Sequence, residues 1–508
     1  MSLLFVILYL SIFNKRLVEN VTVQQSSIND KSNKNSAQRK GEFIVGEKFR
    51  VQVVLSEDLE NLLLFDEFKK QVKDAVTFWT RTLQPKIRST KQILIERPIA
   101  GTILICSAMQ YLESNPNHLK RIIMHELGHT FGFDYSVFSY LRDENGQPRT
   151  TRNPQTGEPE LPKDNEGLEA DKNTVKYVQR DWKTISGVKS LQRISLTLPS
   201  VVSFARRHFG CNDLDGVDLE SDGGGGTPHS HFERRLSIGE IMSGYIDIMA
   251  SVSGLTLGYF NDTGWYNVNF SMAERWEWGR DQGCDFIHQS CGEFIKTQKS
   301  RGQKSSPWCD ELALAVRCIP HVNAYGACNL MKFSSSLKPE HTHFNNVPDV
   351  SQSEQNMLAG VDDLADHCPY MAVFTSLKNT SLNSHCEDTD NQKYQHMDSI
   401  PEYYGKQSRC FNIRIVHRNS IGSHVSAGCY KVKCNLRSQV EVMFNDKWRK
   451  CPENGGDISI YEVPNRIYRL ECPVSKDICP EEETRERIKK RANRLKGDSN
   501  YMKTNTIS

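Results

Sequence analysis

The chain has 508 residues, room for roughly two to four domains of about 150 residues, and its 38% apolar content is enough for a buried core. Its 64 Lys and Arg face 62 Asp and Glu, a formal net charge of +2. That balance excludes the strongly charged classes whose field alone draws nucleic acid or a charged membrane surface.

The chain opens with "MSLLFVILYLSIF". An apolar run of about a dozen residues suits the core of an export signal and is short for a membrane span. No Lys or Arg precedes it, no A-x-A site follows, and Lys15 and Arg16 come after it. Residues 1–16 therefore read as a signal peptide or an uncleaved anchor. Residues 17–40, ending "QQSSINDKSNKNSAQRK", are polar and read as a disordered linker. From there to residue 133 an N-terminal unit is expected. "KFRVQVVLS" alternates like a strand. "FDEFKKQVKDAVTFWTRTLQ" places Phe65, Phe68, Val72, Ala75, Val76 and Trp79 at helical spacing. "KQILIE" and "TILICSA" read as strands, and "HLKRIIMHELGHTFGF" as a buried helix ending at Gly132.

Residues 142–186, rich in Pro, Asn, Asp, Glu and Gly, read as a long surface excursion. "TLPSVVSFARRHFG" predicts a capped helix with Pro199 in its first turn. A glycine run, "DGGGGTPHSHFERR", follows. From 284 to 482, short strands, turns and spaced cysteines predict a disulfide-stapled domain, and 483–508 a polar, basic, solvated tail. There is no internal repeat and no heptad pattern.

Of 15 cysteines, 13 fall between Cys284 and Cys479. That density, without paired CxxC spacing, favours disulfides and an oxidising compartment. N-x-S/T tripeptides at Asn20, Asn261, Asn269 and Asn379 are glycosylation candidates in that setting. No second apolar run reaches membrane-spanning length, and the polar C-terminus speaks against a span or lipid anchor there.

Within the helix ending at Gly132, "MHELGHTFGF" carries the HExxH pattern. Residues i and i+4 share a helix face, so His125 and His129 can direct two imidazoles at one metal ion. Glu126 projects beside them, near the metal and not necessarily on it. A zinc ion with three protein ligands keeps a position for water, and a neighbouring carboxylate then serves as general base. Gly132 completes HExxHxxG, in which glycine lets the chain turn sharply after the helix. Ile122, Ile123, Met124, Leu127, Phe131 and Phe133 make this helix largely buried, where two histidines and a glutamate need partners. No third ligand lies within ten residues of Gly132; the next histidines are His208, His229 and His231. Met242 follows His231 by eleven residues in "HSHFERRLSIGEIMSG", a spacing suggestive of a methionine turn beneath a metal. The remaining histidines, including His341 and His343, read as surface or structural.

Taken together, "MHELGHTFGF", "FSYLRDENGQP", "ARRHFGC", "GGGTPHSHFERRL", "EIMSG" and "DTGWYNVNFSMAERWEWGRDQGCDF" resemble leishmanolysin and the leishmanolysin-like peptidases (invadolysins). The likeness runs continuously over residues 94–330 and more loosely to about 480. These are metzincins with a long insert between the glycine and the third histidine. The resemblance implies an α+β, zincin-like core with an abridged N-terminal sheet, a central subdomain over 134–283, and a disulfide-rich, mainly β and loop C-terminal domain. It implies His125, His129 and His231 as ligands of one Zn²⁺, His231 because the family sets its third histidine directly before an aromatic residue and a glutamate; His229 is the alternative. Glu126 matches the general base, Met242 the structural methionine and Gly132 the turn glycine. The family's cysteine order implies Cys211–Cys284, Cys291–Cys368, Cys309–Cys328, Cys318–Cys410, Cys386–Cys429, Cys434–Cys479 and Cys451–Cys472, leaving Cys106 alone.

The sequence departs from the family twice. No cysteine precedes Cys106, so latency through a propeptide cysteine is not expected. "QPKIRSTKQILIERPIAG" crosses almost directly an interval that in the family holds many residues of the N-terminal subdomain. The edge strand that aligns substrate is then either missing or rebuilt from "KQILIE". The function implied is a secreted zinc endopeptidase acting on proteins or peptides, with cell-surface or matrix proteins as partners and no nucleic acid. The alternative is a noncatalytic adhesion or binding protein keeping a structural zinc, or a protein held at the membrane by its N-terminal run.

Overall fold

The computed structural model describes residues 5–11, 43–45, 50–55, 65–86, 100–106 and 115–479, the last stretch with breaks at 162–167, 313–315, 320–321, 346, 348–349, 375–382, 395–400, 418–422, 436–437 and 464–465. Helices are interspersed with sheets whose strands pair antiparallel, consistent with an α+β fold. The chain divides into two compact units, Met1–Asp310 with Leu330–Pro369, and Glu311–Asn329 with Tyr370–Ser508. Residue 284, expected above to open the disulfide-stapled domain, lies within the first of these units. Residues just beyond 284 stay with the first unit because Cys291 is bonded to Cys368 and Ser290 donates to Lys183 O.

The first unit contains a four-stranded antiparallel sheet ordered β2-β3-β1-β5, from Phe43–Val45 (β2), Arg50–Leu55 (β3), Phe5–Ser11 (β1) and Ala100–Cys106 (β5). Residues 5–11 belong to the run read above as an export segment or anchor; here they form a strand hydrogen-bonded on both sides, with Leu8 opposite both Val53 and Ile103. "FVILYLS" is β-branched, aromatic and apolar at both alternating sets of positions, a composition that suits a strand between two others. "KQILIE", considered above as a rebuilt edge, lies outside the described residues.

Helix α1 (Phe65–Thr82) buries Phe68, Val72, Ala75, Val76 and Trp79, the stripe its periodicity predicts. A short strand β4 (Leu83–Pro85) leaves it and pairs with β9 (Tyr266–Val268). Helix α2 (Pro116–Thr130) lies against α1: the Trp79 indole donates to Met124 O at 3.0 Å, and its ring meets Phe131 and Phe260 edge-on. Asn115 caps α2 by accepting from His118 N at 3.0 Å, and Pro116 occupies its first turn.

The excursion read over 142–186 ends in regular structure. Val175–Thr184 (β6) and Gly187–Leu196 (β7) form a hairpin, and Ser195 and Leu196 pair onward with β8 (Val217–Asp218). The hairpin escaped the sequence reading because Arg180 occupies an inward position of β6, which disguises the alternation. Its guanidinium is buried and holds Asp218 through two bonds, of 2.8 and 3.0 Å. Helix α3 (Pro199–Phe209), predicted with Pro199 in its first turn, packs against α4 (Gly254–Asp262).

The second unit is built on a six-stranded antiparallel sheet ordered Lys447–Lys450, Val440–Phe444, Ser423–Cys434, Ser408–His417, Arg466–Cys472 and Gly456–Val463. Phe411, Ile413, Tyr430, Val440, Val442, Phe444 and Leu470 form its core. Cys318–Cys410, Cys386–Cys429, Cys434–Cys479 and Cys451–Cys472 staple this unit, and Cys211–Cys284 and Cys291–Cys368 the first. Cys309 and Cys328 are disulfide-bonded as well. Among the described residues no helix is long and apolar enough to cross a membrane.

Candidate metal centre

Helix α2 presents His125 and His129 one turn apart on its inner face. Each ring is held by a backbone carbonyl through Nδ1: His125 by Ile241 O at 2.6 Å and His129 by Phe133 O at 2.6 Å. His231 arrives from 106 residues further on and is held the same way, by Thr227 O at 2.9 Å. Its placement follows from the β6–β7–β8 hairpin. Beyond β8, Leu219 bridges to Phe232 and Glu220 N donates to His231 O at 2.9 Å, so the segment bearing His231 is laid beside the sheet.

A carbonyl only accepts, so each Nδ1 carries the proton and each Nε2 presents a lone pair. The three Nε2 atoms lie 3.0, 3.1 and 3.2 Å apart. Three lone pairs converging without a proton between them repel unless a cation sits among them. Protonating a ring does not relieve this. Burial, then the neighbouring His129 and His231, hold His125 well below the usual histidine range; burial, then His129, push His231 down to about 4. Tetrahedral zinc with Zn–N of about 2.0–2.1 Å requires N···N separations of about 3.3 Å, within a few tenths of an ångström of this triangle. Donor type, tautomer and spacing all fit a zinc ion.

Glu126 lies beside this triangle, half-buried. Burial raises its carboxyl above the ordinary carboxylate range, offset in part by the neighbouring His129. Met242 is fully buried beneath α2. A Cβ added at Gly128 would come 2.6 Å from its sulfur, so helix and methionine meet at a position with no side chain.

Several carbonyls at the end of α2 find donors in the segment that leaves it and in neighbouring elements. Leu127 O, Gly128 O and His129 O accept from Phe131, Phe133 and Gly132 N–H, and Phe131 O accepts from the Tyr266 hydroxyl at 3.0 Å. Gly132 O accepts from the Tyr259 hydroxyl. The helix stops at Thr130, two residues before the end predicted, and Gly132 turns the chain with φ 106°. An L side chain there is strained, so Gly132→Ala is expected to cost on the order of 1–3 kcal/mol and to loosen Phe133 O from His129. Thermal unfolding of the apo and zinc-loaded variant would check this; a variant as stable and as tightly loaded as wild type would refute it.

Of the other histidines, His229 stands apart from the triangle. It has φ 66° and places its ring 5.0 Å from that of Tyr135. His208 is buried between Phe204 and Trp276 and bonds Trp278 O at 2.8 Å. His341 and His343 are also buried, each with a ring nitrogen on Asp366 O. Two further clusters of metal-binding residue types, Cys211, Asp213, Cys284 and His288, and Cys291, His343 and Cys368, have their sulfurs in disulfides, so the thiolates are not on offer. Asn269 is exposed, whereas the Asn261 amide donates to Ser200 Oγ at 3.1 Å; Asn20 and Asn379 lie outside the described residues. The sequence reading missed the three carbonyls that orient the rings. No side-chain signal marks a carbonyl, so only the folded structure reveals them.

The leishmanolysin family model matches residues 89–485 of this chain. A leishmanolysin-like peptidase of Drosophila pseudoobscura pseudoobscura is 31% identical over 411 residues, 77% of this chain and 59% of that protein. One from Caenorhabditis briggsae is 33% identical over 406 residues, 76% of this chain and 61% of that protein. A leishmanolysin homolog of Crithidia fasciculata is 29% identical over 290 residues, 55% of this chain and 41% of that protein. The chain spans about three-fifths of the length of the two leishmanolysin-like peptidases.

Proposed function

The chain belongs to the leishmanolysin family, and on that premise we propose that it is a zinc-dependent endopeptidase with a metzincin-type core, acting on proteins or peptides outside the cell. The observation that carries this reading is the triangle of His125, His129 and His231 Nε2 atoms, each with its Nδ1 on a backbone carbonyl. The three imidazoles bind one zinc ion, which would supply Lewis acidity to a water molecule and to the scissile carbonyl. Glu126 accepts a proton from the attacking water and returns it to the departing amine nitrogen. Met242 carries no charge and supports α2 from below; Gly132 lets Phe133 O reach back to His129. The disulfides of both units suit an oxidising compartment, and of the two candidate glycosylation sites among the described residues Asn269 is the more exposed.

Purified protein is expected to contain about one zinc per chain and to cleave a denatured protein substrate, with activity lost to a chelator and regained with zinc. Zinc binding without chelator-sensitive cleavage would favour instead a noncatalytic binding protein with a structural zinc.

A further inference from the structure

We propose that Glu240 is a positioning residue for the metal centre, acting on His125 through the peptide between Ile241 and Met242. The inference rests on the reading of His125 as a metal ligand. The carbonyl of Ile241 and the N–H of Met242 belong to one planar amide and point in opposite directions. Ile241 O accepts from His125 Nδ1 at 2.6 Å, and Met242 N donates to Glu240 Oε2 at 2.6 Å. The carboxylate therefore lies in line with the imidazole, one conjugated amide away.

A negative charge on the N–H side polarises that amide and makes its oxygen a stronger acceptor. A stronger acceptor at Nδ1–H leaves more electron density at Nε2, the atom facing the metal. Histidine ligands commonly receive this support from a carboxylate directly; here a peptide group stands between.

The carboxylate is built in. Glu240 is fully buried, and its other oxygen takes Ser253 N at 3.2 Å, Ser253 Oγ at 2.9 Å and Thr256 Oγ1 at 2.7 Å. Those donors stand at the start of α4, so the carboxylate is anchored to a helix while its free edge addresses the turn. Ile241 N donates to Ser251 O at 2.9 Å and Met242 O accepts from Phe232 N at 2.9 Å, which holds the amide from both flanks. Phe232 follows His231 directly, so the same turn registers two of the three histidines. Burial raises the Glu240 carboxyl, against which Thr256, Met242 and Ser253 all stabilise its charged form by hydrogen bonds.

The test compares zinc dissociation constants of the full-length protein, measured by competition with a chromogenic chelator. Glu240→Gln keeps the volume and removes the charge; zinc is expected to bind about tenfold more weakly. Thr256→Val removes a bond to the same carboxylate but leaves Met242 N on it, and is expected to stay within about twofold of wild type in affinity even where it lowers the melting temperature. A merely structural Glu240 would lower the melting temperature in both variants and leave both affinities alone; that result overturns the inference. Should Glu240→Gln fail to fold, the wild-type Met242 amide proton decides by NMR: zinc loading is expected to shift it downfield as the linked bonds tighten, and an unmoved resonance overturns the inference. Wild-type protein that takes up no zinc overturns the metal reading itself; wild-type zinc binding with an unaffected Gln variant overturns this one alone.

Discussion

Glu126→Gln is expected to lower kcat on a peptide substrate about a thousandfold while the protein still carries its zinc. The glutamine has the volume of the glutamate and no basic oxygen, so the metal site keeps its shape and loses its proton acceptor. General bases of this kind contribute about 10²–10⁴ in rate. The structure gives reason to expect zinc retention: the triangle is made by His125, His129 and His231 alone, and each ring is oriented by a carbonyl of Ile241, Phe133 or Thr227, none of them dependent on Glu126. Single-turnover cleavage alongside metal analysis separates the two effects. Cleavage at the wild-type rate would show that another group takes the proton; loss of zinc together with activity would show that Glu126 is part of the metal site.

The second large effect concerns the identity of the third ligand. His231→Ala is expected to weaken zinc binding by at least two orders of magnitude, because zinc binding by a full protein site is worth about 10–16 kcal/mol and one ligand in three or four carries a proportional share. His229→Ala, two residues away, is expected to leave zinc affinity near wild type and to lose only a half-buried ring contact with Tyr135. Measured side by side by chelator competition, the pair is decisive. If His229→Ala loses the metal and His231→Ala keeps it, the assignment is reversed.

Much of the scaffold was legible because it is written locally. Helix α1 follows from Phe68, Val72, Ala75, Val76 and Trp79 at helical spacing, and all five are buried. Helix α3 follows from Pro199 at its start and Gly210 at its end. The hairpin of β6 and β7 was not legible, because an inward arginine reads as a surface residue until its partner Asp218 is known, and that partner lies 38 residues away. The limits of the two compact units were not legible for a related reason. A rise in cysteine density marks where staples begin, but the bond from Cys291 reaches Cys368, across 77 residues, and keeps the intervening helix with the first unit.

The sequence by itself determined the pair His125 and His129 with Glu126 between them, since helical periodicity alone puts both rings on one face. It also determined the family, through motifs that stand in the family's order. It did not separate His231 from His229 by its own chemistry: two positions apart on an extended segment, both point to the same side, and only the resemblance preferred one. The tertiary structure distinguishes them by where the rings lie: that of His231 stands with His125 and His129, and that of His229 lies against Tyr135. It alone brought Ile241 O to His125 across 116 residues, and with it the Met242 amide and the Glu240 carboxylate. Ring orientation, tautomer and the charge behind the ring are set by contacts between distant backbone atoms, which are alike in every residue and leave no mark in the sequence.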